Sequence, residues 1–327
     1  MFGQLNLKQV NRIASLAIIP MMALAIVAGT RLVGRSSAAG TAEPREGLLI
    51  VAQLRGEALT VLNLETGGRS DLALPGPPHE LVMADGRLYA TLGRANAVAE
   101  IAPVAPGILR LLHLEGEPHG IALGPDGNLY VTLDREGSLV EVDRAALTEF
   151  GRVPTGDTPH AVAFGGLTAF VTDSRDNQLR ALIGSEGVAP VGRLPESVAV
   201  AGAYVVTADE ESGTLTVLRR DGLRPVRTID VGGQPVRVMA SDDRQVMVSL
   251  NGSARVLVVN VETGTVTKTL KVLGHPDGVC VSPSGAYVAI VSNEASAVQI
   301  FRRSDWALTA TLNAGDGPGS CAWPDLH

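Results

Sequence analysis

From Glu46 to the C-terminus, short apolar runs alternate with polar turns, and the alternation is periodic. Each unit opens on a proline: Pro78, Pro118, Pro159, Pro195, Pro235, Pro276 and Pro318, spaced 36 to 42 residues apart. Three and four positions later stands a small apolar pair, as in Ile121 and Ala122, Val162 and Ala163, or Val279 and Cys280. Nine to twelve residues after the proline, an aromatic or large apolar residue leads a second strand: Tyr89, Tyr130, Phe170, Tyr204, Met247 or Tyr287. A polar bend, a third strand such as Ser138 to Asp143, a turn such as Glu262-Thr263-Gly264 and a last strand such as Thr265 to Val272 complete the unit. Four short strands in about 40 residues is the period of a β-propeller blade. One such sheet cannot bury both faces alone, so the blades must stack around an axis.

The two ends of the repeat fix the number of blades. Residues 46–76 supply three strands without a proline-led first strand, and Gly317 to Pro324 supplies such a strand with nothing after it. Joined, they complete a seventh blade and remove the open sheet edges. The expected fold is all-β: a seven-bladed propeller of four-stranded blades over residues 40–327, closed by the C-terminal strand 317–327 and preceded by one N-terminal hydrophobic helix.

That helix lies in residues 1–39, a membrane anchor or signal segment with its linker. Ile13 to Gly29 carries no charge, and Lys8 and Arg12 stand before it, the layout of a signal peptide or an anchor. Extended through Leu32 and Val33, with Arg31 reaching the headgroups, residues 13–33 are long enough to span a hydrocarbon core of ~30 Å. A small-residue cleavage site exists at Ser37-Ala38-Ala39, but Arg31 and Arg35 favour retention. The basic N-terminus favours an exported globule, so a periplasmic or otherwise extracytoplasmic location at the membrane is expected.

Composition narrows the function classes. The chain is 45% hydrophobic and 19% charged, which excludes a disordered protein. Its formal charge is -7, and four cations precede the first acid, Glu43, so the remainder carries -11. Such a surface does not suit nucleic acid. Two cysteines are too few for a disulfide scaffold or a paired-cysteine zinc module. Cys280 and Cys321 lie in the first strands of adjacent units at proline+4 and proline+3. That parity places them on opposite strand faces, so a disulfide would require backbone adjustment, and small buried apolar residues are expected. The sequence holds no P-loop, dinucleotide fingerprint or nucleophile elbow.

The stretch Pro118-His119-Gly120-Ile121-Ala122, continuing through Asp126-Gly127 to Tyr130-Val131-Thr132, resembles the YVTN-type propeller repeat. Pro276 to Asn293 resembles another copy. The resemblance implies the propeller fold over most of residues 46–327. It points to extracytoplasmic binding proteins, with lactonases and lyases among related propellers.

Three histidines, His79, His119 and His160, directly follow the proline in successive units, with Glu196, Val236, Asp277 and Gly319 as their counterparts. At the entry of the innermost strands they would be neighbours around one channel mouth, either ligating a transition metal or bonding nearby backbone. The bends after the second strands bring Asp134, Asp173 and Asp209, with Glu210, Glu211, Asn251, Asn293 and Glu294, to the same side. Such oxygens suit a divalent metal, Ca²⁺ or Mg²⁺, in a setting similar to gluconolactonase-like propellers and streptogramin lyases, although neither family's full catalytic set maps onto the chain. Carboxylates beside the imidazoles should raise the histidine pKa values. No catalytic residue is assigned. The leading expectation is a non-catalytic binding or scaffold subunit with a protein partner in a membrane assembly. A metal-dependent lyase or lactonase at the mouth, and a periplasmic metal carrier, are the alternatives.

Overall fold

Apolar runs buried on both faces form the second strand of each blade. Leu129–Leu133 and Tyr204–Asp209 are buried at every position, as a strand sandwiched between neighbouring sheets must be. The outermost strands, such as Ala307–Asn313, alternate toward solvent. The computed structural model describes residues 46–325. The hydrophobic segment 13–33, the rest of residues 1–39 and the helix expected there lie outside the described residues.

The described chain forms seven four-stranded antiparallel sheets. Six are sequential. The seventh joins Pro318–Ala322 at the C-terminal end to Leu48–Gln53, the first strand of the described chain. We number this closing sheet blade 1 and the others blades 2 to 7 in chain order. The expected seven-bladed ring and its closure are therefore both present. Trp323 secures the closure: its side chain is 7% exposed, and its indole N–H donates to the Glu46 carbonyl at 2.7 Å.

Seven clusters of buried apolar side chains hold the described ring together, each drawn from two neighbouring blades. Stability is thus distributed among blade interfaces rather than one central core, as in other repeat architectures.

One expectation is corrected. Cys280 and Cys321 form a disulfide between the inner strands of blades 7 and 1, with Cα atoms 6.0 Å apart. The two strands belong to different sheets stacked face to face. The front of one meets the back of the next, so opposite parity brings these side chains together instead of separating them.

Candidate site at the channel mouth

A backbone irregularity builds the site. In every blade the ladder between the inner and second strands shifts register just after the proline, for example between Pro78 and Leu81 or between Pro118 and Ile121. A bulge of this kind re-aims the side chains of the extra residues. The residues after the seven prolines, His79, His119, His160, Glu196, Val236, Asp277 and Gly319, all line one cavity of about 300 Å³ at the channel mouth.

Threonines of the second strands stabilise the bulges. The Glu80 N–H donates to Thr91 Oγ1 at 3.0 Å, and the Thr91 hydroxyl donates to the His119 carbonyl of the next blade at 2.6 Å. Thr132 repeats the arrangement, accepting from the Gly120 N–H at 2.8 Å and donating to the His160 carbonyl at 3.0 Å. Gly120 is required by this close approach, because a Cβ there would lie 2.5 Å from the His160 carbonyl oxygen.

The three histidines form a ladder. Ring centroids are 4.6 Å apart between His79 and His119, and 3.9 Å between His119 and His160. His119 Nδ1–H donates to the His160 carbonyl at 3.2 Å, and His160 Nδ1–H donates to the Glu196 carbonyl at 2.7 Å. These bonds fix the tautomer and leave Nε2 as an acceptor. His160 Nε2 lies 3.1 Å from Glu196 Oε2.

Burial, not the neighbouring carboxylates, sets the imidazole charge, which reverses the sign expected from the sequence. Burial and then the Arg237 guanidinium lower the His79 pKa. Burial and the other two rings hold His119 well below its usual value. Burial brings His160 down to about 4, against the opposing pull of its bond to the Glu196 carbonyl. The ladder is therefore neutral at physiological pH. Burial and then the Glu210 charge push the Glu196 carboxyl up to about 7, with Arg237 opposing.

Sequence reasoning missed Arg237 and Glu80. Arg237 extends from blade 6 across the mouth to Glu80 of blade 2, and also meets Asp277 of blade 7 at 3.3 Å. Burial alone would disfavour the guanidinium charge, but Glu80 and Asp277 outweigh it. Burial raises the Glu80 carboxyl, and Arg237 counteracts this. The available signal was that proline+2 carries charge only in these two blades, with opposite signs.

The three aspartates do not join the histidines in the cavity. Asp173 and Asp209 are the last residues of their second strands and are fully buried. Asp173 accepts from the Gly156 N–H at 3.0 Å and pairs with Arg180. Asp209 accepts from the hydroxyls of Thr207 and Thr216 at 2.6 Å and of Thr214 at 3.1 Å. Asp134 is half-buried, its carboxyl pKa raised by burial and then by Glu117, and its Oδ1 has no hydrogen-bond partner. Of the bend residues named with them, Glu210 and Asn251 do line the cavity.

A divalent metal does not fit this donor set. Among the described residues, no group of three or more His, Cys, Asp and Glu side chains is disposed to hold an ion. The three rings lie tilted against one another, and the Nδ1 atoms of His119 and His160 are already bonded to backbone.

Neither a protein-family model nor a curated protein matches the chain. Solved structures do, as propellers. A functionally unknown protein from Desulfotomaculum acetoxidans superposes with a TM-score of 0.71 at 12% identity, covering 84% of this chain and 98% of its own. A putative 6-phosphogluconolactonase from Bacteroides fragilis gives 0.70 at 16% identity, covering 88% of this chain and all of its own. A streptogramin B lyase gives 0.65 at 14% identity, covering 76% of this chain and 87% of its own. At these identities the likeness establishes the fold alone: this chain is a seven-bladed β-propeller.

Proposed function

We propose that this chain is an exported propeller of YVTN type, held at the membrane by residues 13–33, which binds a small polar ligand at its channel mouth without turning it over. One observation carries the binding role: in all seven blades the residue after the inner-strand proline lines one polar cavity. The site holds proton donors and acceptors at fixed positions, but no activated nucleophile and no metal-ligand set. Export is supported by the Cys280–Cys321 disulfide, since such bonds persist in oxidising compartments, and by the basic-apolar leader. A protein partner in a membrane assembly would dock on the same rigid disc.

A second reading has a specific observation in its favour. Glu196, titrating near 7 beside His160, is matched to general acid–base chemistry at neutral pH. Lyase- and lactonase-named propellers are among the structural neighbours.

The natively expressed protein tests the proposal. Intact mass should include residues 13–33, and the protein should sediment with membranes; a mature N-terminus near Gly40 would remove the anchor. A thermal-shift panel of small cations, anions and sugars should find a stabilising class whose effect disappears in His119→Ala/Glu196→Ala. No stabilisation by any class, or turnover of a bound compound, would overturn the non-catalytic binding role.

A further inference from the structure

The charge balance of the mouth is uneven. Four carboxylates, from Glu80, Glu196, Glu210 and Asp277, line the cavity with one guanidinium, that of Arg237. Arg237 is committed to Glu80 and Asp277. Glu196 is in direct contact with the neutral His160 ring, and Arg237 acts on it without forming an ion pair. The half-buried Glu210 makes no ion pair or side-chain hydrogen bond among the described residues, although it raises the Glu196 carboxyl and is itself raised by burial. Two carboxyl groups thus face the cavity without a cation of their own.

The other groups at the mouth mostly accept hydrogen bonds. The Nδ1–H groups of His119 and His160 are spent on backbone carbonyls, so their Nε2 atoms can only accept while the rings stay neutral. An anion entering this space would meet like charge. A neutral sugar would find few donors. A metal ion would find, among the described residues, no group of three ligating side chains disposed to hold it. A ligand rich in N–H donors and positively charged complements every one of these features.

We infer that the channel mouth takes a small organic cation, an alkylammonium or guanidinium group seated between Glu196 and Glu210 and against the Nε2 edges of the histidine ladder. This rests on the binding role proposed above. The cavity, about 300 Å³, is at the small end of ligand cavities (~300–1,000 Å³), suited to a short diamine rather than an extended substrate.

Binding is linked to a proton. The groups facing Glu196 are His160, Glu210, Arg237, Asp277 and Asp134, and together with burial they set its carboxyl at about 7. A cation binds the carboxylate and displaces the proton, so affinity rises with pH. For one group titrating near 7, the ionised fraction grows roughly tenfold between pH 6 and pH 8, and affinity follows it. The histidines do not compete in this range, because His160 protonates only near 4 and the other two are also lowered.

Calorimetric titration with putrescine and with methylguanidinium, at pH 6 and pH 8, tests the inference on the full chain. At least one probe should bind the parent, about tenfold more tightly at pH 8. In Glu196→Gln the affinity should fall at least tenfold and lose its pH dependence. If that variant fails to fold, Glu210→Gln, at a more exposed position, should weaken binding at both pH values. Failure of both probes to bind the parent, or binding unchanged in these variants, overturns the inference. Butyrate, glucose or Ca²⁺ binding at the mouth instead would overturn the cation class while leaving the binding role standing. No binding by any compound would remove both.

Discussion

Replacing Cys280 and Cys321 together by alanine should destabilise the propeller by about 4 kcal/mol. The bond closes a loop with a sequence separation of 41, for which the chain-entropy model gives about 4 kcal/mol at 25 °C, mainly through the unfolded chain. Taking ~2.1 cal/mol/K per residue for the unfolding entropy, that loss lowers the melting temperature by roughly 7 °C in a domain of this size. The cross-link joins the closing strand to the preceding blade, so its loss should also loosen the ring at that seam. Differential scanning calorimetry of parent and variant, each with and without a thiol reductant, provides the assay. Reductant should bring the parent down to the variant and leave the variant unchanged. A variant melting within about 1 °C of the oxidised parent, or two titratable thiols in the unreduced parent, would refute the reasoning.

Deleting residues 317–327 removes the closing strand and the buried Ala322 and Trp323, leaving blade 1 with three strands and an open edge. Burying a large side chain such as Trp323 contributes at least ~1.5–3 kcal/mol and the Ala322 methyl about 0.8, and the deletion also removes the Cys280–Cys321 cross-link, so the truncated chain should lose its cooperative melt; melting like the full chain would contradict the closure. The folded protein keeps His160 neutral down to about pH 4, whereas the unfolded chain protonates it near 6.5. Protons therefore favour the unfolded chain between those values, and His160→Gln should lose less stability than the parent as pH falls from 6.5 to 4. Equal losses would mean that His160 is not held neutral.

The blades, their number and the closing strand were legible because proline and the apolar pair recur at a spacing that only stacked blades explain. The positions facing the channel were legible for the same reason, since His79, His119 and His160 share a register with Glu196 and Asp277. What failed depended on geometry finer than the period. Asp173 and Asp209 do end their second strands, but their carboxyl groups are fully buried against Gly156 and Arg180 or three threonine hydroxyls instead of opening on the mouth. Opposite parity puts Cys280 and Cys321 on opposite faces of their own strands, and only the facing of adjacent sheets brings those faces together. The sign of the histidine shift does not follow from the pattern because burial outweighs the carboxylates, and two of those at the mouth, Glu80 and Asp277, are already taken by Arg237. The Arg237–Glu80 contact joins residues that local pattern cannot connect, and ring closure alone makes them neighbours.

That contact also offers the most direct test that seven blades converge on one mouth. A double-mutant cycle would compare Arg237→Met, Glu80→Gln and the double variant by denaturant unfolding. Arg237→Met leaves the largely buried Glu80 and Asp277, each 20% exposed, without a cation, and breaking one side of a fully buried pair costs about 3–5 kcal/mol, an upper bound here. The double variant should therefore lose less than the two single losses combined, with a coupling of about 1 kcal/mol or more. Losses that add to within about 0.5 kcal/mol, as for sites that do not touch, would contradict the ring geometry and the mouth built on it.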